Sequence, residues 1–271
     1  MRDSIVWKRR LGRVYSSLRR IRGDNPRCGM VLTYHSVGPS MLGLPQENFR
    51  LQMDWLKANA AVVSLEQLLA GDWPDSSSGV TCAITFDDGY SSVHEYAFPI
   101  LRERNFAATV YLVANAMGNG KRKSSNEFDG LYPDEDMLTW DMVCELQSGG
   151  VVAGSHLLRH KDVTSLAAAE ANEELVGSKK MIEDKLGNEC SSFSFPWGRY
   201  DDRSVEAVKA AGYKNSVIAI QGRWGREDEL DRYRVPRADV RREYSIDDFA
   251  AVVRGDWDYL GVLQKIRRAR Y

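Results

Sequence analysis

From residue 30 onward, short apolar runs alternate with stretches of helical periodicity. The runs are "MVLTYHSV" (30–37), "AAVVSL" (60–65), "TCAITFDD" (81–88), "AATVYLVA" (107–114), "VVAGSH" (151–156), "SSFSFPWG" (191–198), "NSVIAI" (215–220) and "YRVPRADV" (233–240). They are rich in Val, Ile, Thr and Phe. Several are apolar without alternation, as parallel strands buried on both faces require. Helices are predicted between them at about 48–59, 64–70, 92–104, 136–148, 165–186, 202–211 and 245–254. Ser64 with Gln67 reads as a capping box, Asp201 as an N-cap and Gly212 as a helix stop. Alternating βα units predict an α/β fold with a parallel sheet. Seven or eight units in about 210 residues favour a closed or nearly closed barrel, with a doubly wound sheet as the alternative. In both, reactive residues belong at the carboxyl ends of the strands.

The first 22 residues carry a different pattern. Trp7, Leu11, Val14, Leu18 and Ile21 fall at helical spacing, with arginines and Lys8 between them. Two readings stand open: a helix packed on the domain by that stripe, or an interfacial helix lying on anionic lipid. Two polar loops, 115–137 and 221–232, follow strands and would rim the same face, while 75–79 is a short loop.

Charge sharpens the picture of the ends. Over its 271 residues the chain has a net charge of -1. Residues 1–22 hold eight Lys or Arg against one Asp, a net of +7; the last eight residues add +4, which leaves -12 for 23–263. An acidic body with basic ends is poorly made to grip a nucleic-acid backbone, but suits contact with an anionic membrane at the ends. The expected organisation is a basic amphipathic helix over 1–27, a barrel domain over 28–255 and a basic C-terminal tail over 256–271. No run of 18 apolar residues and no secretory h-region is present, so cytoplasmic residence is expected, at the inner face of the membrane if the ends bind it. Cys28, Cys82, Cys144 and Cys190 are widely spread and form no CxxC; free thiols are expected.

Three of the four histidines end predicted strands: His35 ends "VLTYH", and His156 ends "VVAGSH" with His160 four residues on. His94 lies in a predicted helix and reads as a surface or packing residue. Paired histidines at this spacing can grip one metal ion, but Leu157 follows the first, so the helical zinc-protease motif is absent. Asp87 and Asp88 end "CAITFDD". Adjacent residues on a strand point apart, so both can serve one site only where the strand has ended, as Gly89 permits. One carboxylate could then ligate a metal while the other takes a proton from an activated water. Taken alone, Asp-Asp-Gly favours a solvated turn capping the next helix. His35 reads either as a structural histidine or as the acid that protonates a leaving group.

Taken together, "TFDDGY", "GSHLLRH" and "FSFPWGRYD" (193–201), with "LTWDMVCELQSGG" before the histidines, resemble the polysaccharide deacetylase family, the NodB-homology carbohydrate esterases (carbohydrate esterase 4). The resemblance covers roughly 28 to 240. It implies a distorted (β/α) barrel of about seven parallel strands. It also implies one divalent metal, zinc first with Co, Ni or Fe as alternatives, held by Asp88, His156 and His160, with Asp87 as general base. The implied reaction is hydrolysis of an N-acetyl group from an amino sugar, with an oxyanion held by the metal and a backbone N–H. Pro196, Trp197 and Gly198 match the substrate and oxyanion stretch, with Trp197 in place of the usual Tyr. No histidine follows His160, so the late Leu-x-His motif is missing; the early "LTYHSVG" resembles the permuted branch in which that histidine is the acid, which implies His35. Ser194 stands where the family has an Arg that orients the base, and Arg237 in "RVPRAD" is the candidate replacement. The alternatives are an O-deacetylase or other amidase with the same metal site, or a carbohydrate-binding pseudoenzyme.

Overall fold

The apolar runs form parallel strands in the computed structural model, which describes residues 2–21, 28–74, 79–118, 130–132, 134–225 and 231–268. The strands are β1 (Cys28–Tyr34), β2 (Ala61–Val62), β3 (Val80–Phe86), β4 (Ala108–Leu112), β5 (Val151–Ser155), β6 (Ser192–Ser194), β7 (Asn215–Ile218), β8 (Val235–Pro236) and β9 (Ala238–Asp239). They pair in the order β8-β7-β6-β5-β4-β3-β1-β9, with β2 beside β3, and every pairing is parallel. The predicted loops at 75–79, 115–137 and 221–232 lie partly outside the described residues.

One departure from the sequence pattern decides the architecture. The run 233–240, read as a single strand, is broken at Arg237. β8 pairs with β7 on one side and β9 pairs with β1 on the other. The two ends of the sheet therefore meet through one residue, and the sheet curls into a barrel of seven staves with the last one split. Pro236 has no N–H to continue a ladder, and the Arg237 N–H leaves the strand line to donate to Ile220 O at 3.0 Å.

Helices α1 (Arg2–Ile21), α2 (Gln46–Asn59), α3 (Leu65–Ala70), α4 (Phe98–Arg104), α5 (Trp140–Ser148), α6 (Ala168–Leu186), α7 (Asp202–Ala210), α8 (Ile246–Val253) and α9 (Tyr259–Arg268) accompany the sheet. The capping box of Ser64 with Gln67 is formed, and Asp201 caps α7 by accepting from Ser204 N. The helix expected over 92–104 contains a π-helical turn, Val93–Ala97, before α4. α5 starts four residues later than the pattern indicates, because Thr139 accepts from Met142 N and so caps it. The segment 256–271, read as a basic tail, is helical over Tyr259–Arg268, and Trp257 before it lies in the core. Cys82, Cys144 and Cys190 are free thiols.

Side chains alternate between two apolar layers, as the pleat dictates. Met30, Leu32, Tyr34, Ile84 and Phe86 face outward and pack with Phe49 and Met53 of α2 and Ile100 of α4. Val31, Ala83, Tyr111, Val217 and Val235 face the barrel interior, with Trp73, Trp224, Leu65 and Leu68. Trp224 bridges to Gly29, so this inner layer plugs the amino end of the barrel. Two residues further along the same inward rows, the chemistry turns polar. Val31 is followed by Thr33 and His35, Ala83 by Thr85 and Asp87, and Val235 by Arg237. The pleat that fills the barrel floor thus aims ionisable groups at its carboxyl end.

Gly154 permits one tight contact in this interior. A Cβ there would stand 2.5 Å from the Tyr111 ring and 3.0 Å from Ser192 O. Gly154→Ala is expected to cost about 1–3 kcal/mol through overpacking. Urea denaturation checks this, and a midpoint equal to the wild type would contradict the packing described.

Candidate metal centre and hydrolytic site

The sequence-nominated residues converge at the carboxyl ends of β1, β3, β5, β6 and β8. Tyr34 pairs with Phe86, so His35 and Asp87 leave their strands side by side. Asp87 N donates to Tyr34 O at 2.9 Å, and His156 N to Leu112 O at 2.8 Å, which extends the ladders by one rung and fixes both backbones. Asp88 then takes a left-handed conformation, φ 73°. That reversal turns its side chain the opposite way from a continuing strand, and it is why two adjacent carboxylates reach one cavity. Left-handed backbone recurs at Leu157 (φ 70°), His160 (φ 56°) and Trp197 (φ 53°). Strain of about 1–3 kcal/mol at such residues persists only where surrounding contacts impose it. Asp87 and Asp88 are each 4% exposed, so the solvated helix-capping turn is overturned.

Asp88, His156 and His160 bring one ligand atom each within 4.8 Å of one another. The Nε2 atoms of both histidines lie 3.4 Å from Asp88 Oδ1. His156 Nδ1 donates to Ser194 O at 2.7 Å, and since a carbonyl only accepts, Nδ1 carries a proton and Nε2 is the ring atom turned toward Asp88. Two imidazoles and one carboxylate, all buried, form a donor set that fits a divalent transition-metal cation and leaves positions open for water and substrate. The loop carrying His160 is pinned by Glu174 of α6, which is fully buried. Its carboxylate accepts from Leu158 N and Arg159 N, each at 3.0 Å, and from Arg159 Nε at 2.6 Å.

Asp87 is held differently. Arg237 donates to both of its oxygens, at 2.8 Å and 2.7 Å, and its guanidinium also touches Ser194 Oγ at 3.0 Å and Thr85 Oγ1 at 3.3 Å. Ser194 Oγ donates to Asp87 Oδ2 at 3.3 Å. Burial pushes the Asp87 carboxyl up, but the charge and hydrogen bonds of Arg237, with His156 and His35 nearby, outweigh it, and the net direction is down. Asp87 is thus an ionised carboxylate with both oxygens tied to Arg237, whereas Asp88 faces the histidines. Removing one partner of such a buried pair costs about 3–5 kcal/mol.

These residues floor a cavity of about 380 Å³, within the range of small-molecule clefts, about 300–1,000 Å³. His35 lines it and stacks on Tyr132, ring centroids 6.2 Å apart. Trp197 and Gly198 line it as well, while Pro196 is buried behind them. The Trp197 ring is 43% exposed and meets His160 edge-on at 4.5 Å, so it is a wall of the cavity and not a core residue. His94 stays outside, hydrogen-bonded to Glu145 at 2.7 Å.

Four contributors escape the sequence reading. Tyr90 lies against Asp88 and accepts from Tyr132 N at 2.7 Å. Thr85 supports Arg237, Tyr132 stacks on His35, and Glu174 pins the histidine loop. Tyr90 stands two residues after Asp88 in "TFDDGY" and could have been singled out. Nothing local marks Glu174 among the other acids of α6. The arrangement can bind a cation, keep an unligated carboxylate ionised beside it, and present an imidazole across the cavity, which is equipment for hydrolysis.

Comparison with known proteins agrees. The polysaccharide deacetylase family model matches residues 75–216, just over half of the chain. His35 and Arg237 lie outside that segment. YxkH of Bacillus subtilis (strain 168) is 25% identical over 236 residues, covering 86% of this chain and 78% of that one. The poly-β-1,6-N-acetyl-D-glucosamine N-deacetylase of Staphylococcus epidermidis (strain RP62A) is 24% identical over 219 residues, covering 78% and 71%. Among solved structures, the Streptococcus pyogenes deacetylase PplD in complex with acetate superposes with a TM-score of 0.70 at 18% identity, over 84% of this chain and 99% of that one. At that identity the likeness establishes the barrel fold.

Two substitutions test the centre. His156→Ala is expected to drop bound metal from about one equivalent per chain to near zero by elemental analysis. Glu174→Gln is expected to weaken metal affinity about 10–100-fold with the circular dichroism spectrum unchanged, because the loop loses its anchor and not its ligand. Wild-type affinity in Glu174→Gln would remove the pinning role.

Proposed function

The chain belongs to the polysaccharide deacetylase family, and on that premise we propose that it is a metal-dependent hydrolase that removes an N-acetyl group from an amino sugar of a glycan or glycan precursor. One observation carries the reading. At the floor of a single cavity, an ionised carboxylate clamped by Arg237 stands beside a buried two-histidine, one-carboxylate cluster.

Each residue then has a separable task. Asp88, His156 and His160 hold the cation. When bound, a divalent cation there polarises the acetyl carbonyl and acidifies water. Zinc suits two imidazoles and one carboxylate, with cobalt, nickel or iron as alternatives. Asp87 is the general base that takes a proton from the attacking water. Arg237 keeps it ionised and prevents it from swinging onto the cation, doing from the break between β8 and β9 what the family's motif arginine does from the position of Ser194. His35, across the cavity just after β1, gives a proton to the leaving amine. In the Pro196–Gly198 turn, Pro196 has no N–H and Gly198 N donates to Phe195 O at 2.8 Å, so the Trp197 backbone N–H is the donor for the oxyanion, and the Trp197 ring offers a face for the sugar.

The Staphylococcus epidermidis relative's name gives a first substrate class to try, N-acetylglucosamine oligomers. The reading extends to a peripheral enzyme on the cytoplasmic side of an anionic membrane, which it touches through its basic ends. The charge of +7 over residues 1–22 supports that placement.

Acetate release from N-acetylated and O-acetylated sugars by the metal-loaded chain tests the assignment. Release from the N-acetyl sugar is expected; release from the O-acetyl sugar alone would make it an esterase. Asp87→Asn is expected to keep the metal and lose at least about 10²–10⁴ in turnover, and His35→Ala about 10²-fold or more. Full activity in either variant would strike that residue from its role.

A further inference from the structure

The apolar stripe of α1 is not used to pack it. Trp7 is 62% exposed and Val14 58%, with Leu11 and Leu18 also open to solvent. The helix docks by its other side. Arg9 reaches the buried Asp248 at the start of α8, at 2.6 Å. Gly12 sits against Trp257, where a Cβ would stand 2.8 Å from the indole. Lys8 lies over the Tyr244 and Trp257 rings at 5.9 Å and 5.7 Å. The orientation is therefore fixed, and the stripe faces away from the barrel. Among the described residues nothing covers it.

α9 repeats the arrangement beside it. Gly261 is buried against Gln221, and Gln264, though exposed, accepts from Gln221 N at 2.8 Å, while Val262, Leu263 and Ile266 are exposed. The helices touch through Tyr15 and Tyr259, ring centroids 5.9 Å apart, and Tyr259 donates to Lys8 O at 3.2 Å. α9 also borders the metal cavity, because Gln264 lines it.

We propose that α1 and α9 form one interfacial platform that lays the mouth of the cleft on an anionic bilayer, so that the N-acetylated sugar hydrolysed there is one carried on a lipid. The inference rests on the deacetylase reading for the chemistry and on the platform alone for the location. Charge selects the occupant. The platform belongs to the cationic ends, with Arg10 and Arg13 exposed beside the stripe, while the remaining body carries -12. Anionic lipid satisfies both the apolar stripe and its basic flanks, and the acidic body then stays off the surface. A second copy of this chain would set two +6 helices against each other. A tryptophan among exposed aliphatics is also the side chain that settles at a lipid–water boundary.

The full-length, metal-loaded chain is floated with vesicles of phosphatidylcholine, with and without phosphatidylglycerol. Binding to the anionic vesicles, at least tenfold weaker to the neutral ones, is expected. The double variant Trp7→Glu with Leu11→Glu, and separately Leu263→Glu, should each lose at least tenfold in vesicle binding. Both should hydrolyse soluble N-acetylglucosamine oligomers at the wild-type rate, and both should slow on an N-acetylated glycolipid embedded in anionic vesicles. Absence of binding by the wild type, or unchanged binding by the variants, overturns the platform. A wild-type dimer in light scattering that the variants convert to monomer overturns it in favour of self-association. Vesicle binding without turnover on any N-acetyl sugar would instead defeat the deacetylase reading and leave the platform standing.

Discussion

The buried pair between Arg237 and Asp87 joins the two halves of this protein's design. Arg237 is the residue through which the sheet closes, because β8 ends just before it and β9 begins just after it. Its guanidinium crosses the barrel to both oxygens of the carboxylate that follows β3. Barrel closure and orientation of the Asp87 carboxylate are thus one structural event. A substitution at Arg237 would strand a negative charge in a dry interior and loosen the seam of the barrel together. Ser194 and Thr85 accept from the two terminal nitrogens of the guanidinium as well, so that only its Nε is left buried without a partner, and this nearly satisfied polar cluster makes a buried ion pair tolerable.

The same clamp separates the tasks of two neighbouring carboxylates. Asp87 continues the inward row of β3 and is captured by Arg237. Asp88 leaves that row by turning left-handed and faces the imidazoles. The chain uses one backbone reversal to give adjacent, chemically identical side chains different environments. Strain at Leu157, His160 and Trp197 on facing loops has the same character, and the contacts that hold it come from outside those loops, as Glu174 does from α6.

The arginine that clamps Asp87 comes from just past the end of β8, whereas the resemblance to the family implies an arginine at the position of Ser194 on β6. The inward rows of a barrel converge at its mouth, so a guanidinium just past β8 can reach the point that one on β6 would reach. Function at this fold is set by what meets at the carboxyl end, and the rows can exchange contributions. The helices at the ends of the chain add a second level of organisation, with a fixed apolar face beside the opening of the same cavity.

Much of this was legible in the sequence for physical reasons. Strands buried on both faces must be apolar throughout, and that pattern located eight of the runs within a few residues. Capping at Ser64 and Asp201 is local chemistry and reads directly from neighbouring residues. Adjacent and closely spaced residues such as Asp87, Asp88, His156 and His160 could be nominated because their order along the chain resembles a family. Tertiary structure decided the rest. The break at Arg237 follows from pairing with two different strands. The amphipathic stripe of α1 left its facing open, and docking through Arg9, Gly12 and Lys8 turned it outward. Glu174 and Tyr132 became part of the site only when distant segments came together. Periodicity reports which positions share a face; only the packed chain determines what that face meets.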